Sequence, residues 1–272
     1  MQQTVNRVNA AKAPIPVGLV ARNTKAILSP WMRGCIYGET DSWKSTTAAH
    51  FGSPEDVRIL LTREESQLLP LRDDGYEYLQ CKTYDKFRYA MLYPENIWPE
   101  WAQRENRVYV IDDVTAGKDI VLESNETDAE GKELRDNRMI HREAKADIGD
   151  MVRILQAKPM HIIFIALAKI YENKFTHRET VSPDLPPAML NMMSADWDYV
   201  FYSDKEKKML LTSNRVETYQ AKDDKGKVQS YTRTIFAKNK LPMGLVGKGV
   251  LLEYERPDLQ AIWKKIREAK AK

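Results

Sequence analysis

The sequence predicts an α/β domain built on a mostly parallel central sheet flanked by helices, and three observations carry that prediction. Short apolar bursts, nearly continuous and rich in β-branched residues at Val108–Ile111 and Ile162–Leu167, have the composition of strands buried on both faces. The polar stretches between bursts are long enough to hold crossover helices. Finally, 272 residues that are 43% hydrophobic and 30% charged can bury a sizeable core without the bias of a disordered or fibrous chain.

Taken in order, residues 1–28 are polar, contain Pro14 and Pro16, and read as an N-terminal arm. The domain proper is expected over 29–256, with strands near 35–37, 57–62, 76–81, 108–111 and 161–167 and helices over 44–51, 84–92 and about 134–157. A charge-rich stretch of about 117–150 reads either as a solvated helix pair or as a mobile insertion. From 197 onward, strand candidates at 197–202, 208–212, 216–219 and 231–236 crowd together into a strand-rich C-terminal extension, with Asp223–Gly226 as a hairpin turn. Residues 257–272 place Leu259, Ile262, Trp263 and Ile266 at helical spacing, as in an amphipathic terminal helix packing on the sheet. Met189, Met192 and Met193 read as gap-filling core residues.

Composition also excludes classes of function. The net charge of +3 (42 Lys+Arg against 39 Asp+Glu) is too small for bulk electrostatics to drive nucleic-acid binding, so any basic surface must be local. No apolar run reaches the ~18–20 residues of a membrane helix, and no apolar segment follows Met1, so neither membrane attachment nor export is expected. Cys35 and Cys81 are too few for a disulfide framework, which fits a reducing cytoplasm. The four histidines form no metal-ligand spacing with them or with each other, and His161 reads as a core residue. There is no G-x-S-x-G elbow for a serine hydrolase.

The most informative stretch runs Gly38, Glu39, Thr40, Asp41, Ser42, Trp43, Lys44, Ser45, Thr46. A phosphate-binding loop has the form G-x-x-x-x-G-K-[ST] between a buried strand and a helix, so that backbone N–H groups curl around phosphate oxygens. Its lysine reaches the β/γ-phosphates, and its hydroxyl ligates Mg²⁺. Gly38, Lys44 and Ser45 stand at that spacing, but Trp43 occupies the place of the second glycine. The degenerate pattern occurs by chance in about one chain of this length in seven, so context must decide. Two strand ends supply it. Val108–Ile111 runs into Asp112 and Asp113, where such a sheet places a Mg²⁺ carboxylate; a strand ending in a turn residue has the same look. Val57–Thr62 runs into Arg63 and Glu64, a carboxylate able to polarise water or simply a solvated charge.

Together these pieces resemble the RecA-like ATPases, and among them the compact phage ATPases that include the single-strand annealing Sak type. The resemblance spans roughly 30–255 and implies a RecA-like P-loop NTPase core that binds ATP and Mg²⁺. It implies that Lys44 holds the phosphates, Ser45 and Asp112 hold Mg²⁺, and Glu64 positions water. It further implies that Lys238 and Lys240, a Lys-x-Lys element at a strand end, reach a neighbouring subunit's γ-phosphate within a ring or filament; a solvated hairpin end is the plainer reading of the pair. Asp113 stands where the family carries a small hydroxyl residue, and so shares or takes over a carboxylate role. Lys169 follows the last buried strand where an Asn-Gln pair is expected. The segment Tyr171–Arg178, with Lys174, Phe175, His177 and Arg178, mixes cations and aromatics as a single-stranded DNA contact does, or is an exposed loop with one packed ring. The resulting expectation is a phage protein of the bacterial cytoplasm acting on single-stranded DNA. A nucleotide-independent DNA-binding or assembly module and a helicase-loader or motor ATPase are the alternatives.

Overall fold

Strand β1 (Arg33–Gly38) sends alternate side chains into two hydrophobic layers: Cys35 and Tyr37 into one, Ile36 into the other, all fully buried. That alternation sets the architecture of the computed structural model, which describes residues 30–126, 136–173, 176–222, 226–241 and 250–271. The expected arm, Lys174, Phe175 and most of the expected turn at 223–226 lie outside the described residues.

The central sheet continues with β2 (Val57–Leu61), β3 (Glu77–Gln80), β4 (Val108–Asp112), β5 (His161–Asn173) and, further along the chain, β7 (Tyr199–Asp204), β8 (Met209–Leu211) and β12 (Tyr254–Glu255). Their spatial order is β12-β8-β7-β1-β5-β4-β2-β3. Every pairing from β7 across to β3 is parallel, and the two pairings at the other edge are antiparallel. This is the α/β fold with a mostly parallel sheet that the sequence predicts.

Helices cover both faces. The Cys35–Tyr37 face is covered by α2 (Tyr84–Leu92), α4 (Val114–Ser124), α5 (Asn137–Gln156) and α6 (Pro187–Asp196), with the short α3 (Pro94–Ile97) following α2. The Ile36 face is covered by α1 (Lys44–Ala49), the 3-10 segment Glu65–Asp74, and α7 (Leu259–Ala271). Leu259, Ile262, Trp263 and Ile266 of α7 are buried there, at the spacing expected of an amphipathic helix. Met189 and Met193 are buried on the opposite face, with Met192 packed against them. Ala144, Ile148, Met151, Val152 and Leu155 give α5 a buried stripe, so the helices of the charge-rich stretch belong to the core layer and are not an appendage.

One expectation is corrected. Tyr171–Asn173 is strand, not loop: β5 leaves the central sheet after Leu167 and continues, antiparallel to β6 (Arg178–Pro183), into a second sheet. That sheet is completed by β10 (Val228–Ile235), parallel to β6, and β9 (Arg215–Lys222), antiparallel to β10. The strand-rich C-terminal part is therefore shared between two sheets. Tyr37 ties them together, its hydroxyl lying within hydrogen-bond reach of the carbonyls of Val181 (3.0 Å) and Phe236 (2.5 Å).

Candidate nucleotide-binding site

Parallel register brings the chemistry to one edge of the sheet. Gly38 pairs with Leu167 and Asp112 with Ile165, so β1 and β4 flank β5 and end near one another along it, β1 reaching slightly further. A cleft of about 210 Å³ opens there, lined by Thr40–Thr46, Arg63, Gln67, Pro70, Asp112, Asp113, Ile165 and Leu167. Clefts beyond the carboxyl ends of parallel strands are where this class of sheet binds ligands.

Gly38 is required by space: a Cβ there would lie 2.7 Å from the Ser203 carbonyl oxygen and 2.8 Å from Ser42 Oγ. The loop that follows is closed by Ser42 Oγ donating to the Glu39 carbonyl (2.8 Å) and by Ser203 Oγ donating to the Ser42 carbonyl. Trp43 completes it in the left-handed conformation (φ 54°, ψ 21°), and its carbonyl accepts from Thr47 N–H (2.8 Å) to start α1. Left-handed backbone costs a non-glycine residue about 1–2 kcal/mol. The loop thus takes a glycine-like path through a tryptophan, whose side chain stays 41% exposed.

With only six residues, α1 offers a weak dipole, so the anion-attracting charge is Lys44 itself. Its ammonium is buried and donates to the Glu39 carbonyl (2.5 Å) and Ser42 Oγ (3.2 Å). Burial lowers its pKa to about 8, against the pull of Asp112 and Asp113. Ser45 Oγ donates to Asp112 Oδ2 at 2.5 Å. Burial raises Asp112 to about 6, the Ser45 hydrogen bond and the nearby cations opposing it and Asp113 adding to it. A desolvated cation next to a hydroxyl–carboxylate pair suits a phosphate chain with Mg²⁺, because each partner relieves the burial cost of the other. No cluster of three or more metal-ligating side chains exists among the described residues, so Mg²⁺ here would rely on Ser45, Asp112 and phosphate oxygens.

Asp113 is fully engaged. One oxygen accepts from Ala116 N–H (2.7 Å), capping α4, and the other pairs with Arg63 at 2.6 Å. Thr62 clamps its backbone, donating to the Asp113 carbonyl (2.7 Å) and accepting from its N–H (2.9 Å). Burial raises the Asp113 pKa, while the Ala116 N–H and Arg63 hold it down.

Several expected residues lie elsewhere. Glu64 points away from the cleft, 73% exposed and paired with Lys82 at 2.9 Å; Arg63 takes the inward position. Because β11 (Lys238–Asn239) pairs with Tyr199 and Val200 at the start of β7, Lys238 and Lys240 stand at the opposite end of the sheet from the loop after Gly38. Lys238 donates to the carbonyls of Ser194 (2.6 Å) and Trp197 (2.7 Å) around the end of α6, and Lys240 pairs with Asp198 at 2.9 Å. Lys169 pairs with Asp184 at 3.2 Å. His177 (φ 50°) precedes β6 and packs edge-on against Tyr231 at 5.2 Å, while Arg178 is exposed at the first position of β6. Arg63, Thr62 and Ser203 carry no functional motif of their own in the sequence. The register Leu61↔Asp112 is the signal for the first two, since it sets the residues after β2 beside Asp113.

The fold and this cleft define a P-loop nucleotide-binding domain. A sequence model of the AAA domain matches residues 31–240, and the chain belongs to that family. A solved ATPase from the type III secretion system of pathogenic bacteria is similar at 11% identity and a TM-score of 0.42, over 88% of this chain and 62% of that one. The chain thus spans less than two thirds of that ATPase's length. No curated protein matches.

Proposed function

We propose that the chain is an ATP-binding RecA-like protein, encoded by a phage and working in the bacterial cytoplasm on single-stranded DNA in recombination, annealing or replication. The observation that supports it most is the buried Lys44 beside the 2.5 Å Ser45–Asp112 pair at the carboxyl edge of the sheet. Lys44 would neutralise phosphate oxygens, and Ser45 with Asp112 would hold Mg²⁺ and fix its position against α1. Bound there, ATP supplies the phosphoanhydride bond whose cleavage drives work on a partner. Asp112 and Asp113 already accept hydrogen bonds or an ion pair, and Glu64 faces away. The isolated chain therefore binds nucleotide better than it hydrolyses it, and efficient turnover calls for a neighbouring copy in a ring or filament.

The DNA role rests on the motif likeness to phage annealing ATPases and on the β5–β6 hairpin, where His177 and Arg178 precede and open β6. The test is MgATP binding and turnover with and without single-stranded DNA. Stimulation of turnover by DNA supports the reading; absence of ATP binding removes it. Trp43 favours a second reading, a module that assembles or binds DNA without nucleotide. ATPase activity that appears only in Trp43→Gly would support that alternative.

A further inference from the structure

The cleft has two chemical ends. Lys44, Arg63 and Asp112 make one strongly charged, whereas its rim carries Trp43 and Pro70. Trp43 is 41% exposed although indole is among the side chains that gain most from burial. Its backbone already holds φ 54° and ψ 21°, so the ring is displayed by a fixed turn and not by a free loop. From the other side the turn between β7 and β8 leans onto the same loop. Lys205 Nζ reaches the Thr40 carbonyl (3.4 Å), and Lys208 Nζ lies 5.9 Å from the centre of the Trp43 ring.

An amphiphilic cleft of this kind matches an amphiphilic ligand, with phosphates at the charged end and a flat aromatic group at the rim. The geometry points to Trp43 as the platform on which the nucleotide's base stacks, with the Lys208 ammonium close to the same ring. This deepens the ATP reading and rests on it. The tryptophan that breaks the loop pattern then acts in recognition: phosphate affinity comes from Lys44 and Ser45, and the preference for a nucleotide over a bare phosphate chain comes from Trp43. A stacked purine should also be held better than a stacked pyrimidine, because it covers more of the indole.

The test compares Mg²⁺-loaded ATP with Mg²⁺-loaded inorganic tripolyphosphate by calorimetry on wild type, Trp43→Gly and Trp43→Phe. Glycine adopts the left-handed turn without strain, so loss of folding does not obscure the result. Stacking of a base on an aromatic ring predicts that Trp43→Gly weakens ATP by about tenfold or more, with tripolyphosphate changed less than about threefold. Trp43→Phe should keep ATP within about threefold of wild type, since a ring remains. Unchanged or tighter ATP binding in Trp43→Gly, or equal loss of both ligands, overturns the platform. If wild type binds neither ligand, the phosphate site itself is wrong and the platform falls with it; binding of tripolyphosphate with a failed ATP discrimination overturns the platform alone.

Discussion

The two ends of the central sheet hold cavities of opposite character. At the carboxyl edge the cleft is small, about 210 Å³, and is built around buried charge: Lys44, Asp112 and Asp113. At the amino edge a larger cavity of about 670 Å³ lies against α7, lined by Phe51, Val108, His161 and Trp263 among others. There His161 is enclosed by the rings of Trp31, Phe51 and Trp263, and its Nδ1 accepts from Met32 N–H (2.9 Å). Burial lowers its pKa to about 4, so it is a neutral core residue at pH 7. The smaller cleft keeps charges desolvated at a cost to stability, whereas the larger cavity borders side chains whose burial stabilises the fold.

Substitutions should separate the two ends. Trp263→Ala removes a buried ring that joins α7 to the sheet, and a loss of about 3–5 kcal/mol is expected in chemical denaturation, with ATP affinity retained by the molecules that stay folded. Affinity lost in proportion to stability would break the contrast. Asp112→Asn should do the reverse. It should weaken the Mg²⁺ dependence of ATP binding by about 10–100-fold, while stability near pH 7 stays equal or rises because a buried charge is gone.

The pH profile is a third and smaller effect. Ligand binding needs Asp112 ionised and Lys44 protonated, so MgATP affinity should fall below about pH 6 and above about pH 8. Stability follows the opposite signs. Asp112, raised in the fold, contributes stability that is present at low pH and lost as pH rises through about 6; Lys44, lowered in the fold, regains stability as pH rises from about 8 toward its usual value. A flat affinity between pH 5 and pH 9, on the order of the range the two groups span, would contradict their place in the site. The smallest effect belongs to Glu64→Gln, which should change turnover by less than about twofold because an exposed pair with Lys82 is worth little. A large loss would return Glu64 to the chemistry.

How much of this was legible in the sequence follows from which residues are buried on both sides. The strands at 57–62, 108–111 and 161–167 show themselves because nearly every position is apolar, and the spacing of Gly38, Lys44, Ser45 and Asp112 locates the cleft. The second half of β5 does not show itself, since Lys169, Ile170, Glu172 and Asn173 are all exposed and only Tyr171 is half-buried, which looks like a loop. Its strand character comes from pairing with β6, a partner that local sequence does not name. The choice between Arg63 and Glu64 was a matter of one residue at a strand end, where neighbours point to opposite sides. Lys238 looked free because its acceptors, the carbonyls of Ser194 and Trp197, come from a helix some forty residues earlier in the chain. Trp43 stands out in the sequence as a departure from the loop pattern, but its left-handed backbone, which lets the loop close around it, is a property of the folded turn.

The most direct measurement is equilibrium binding of MgATP to wild type and to Lys44→Ala. Binding by wild type with a loss of about a hundredfold or more in the variant, and folding intact, is the predicted result. Equal affinity in both proteins would contradict the assignment of the cleft.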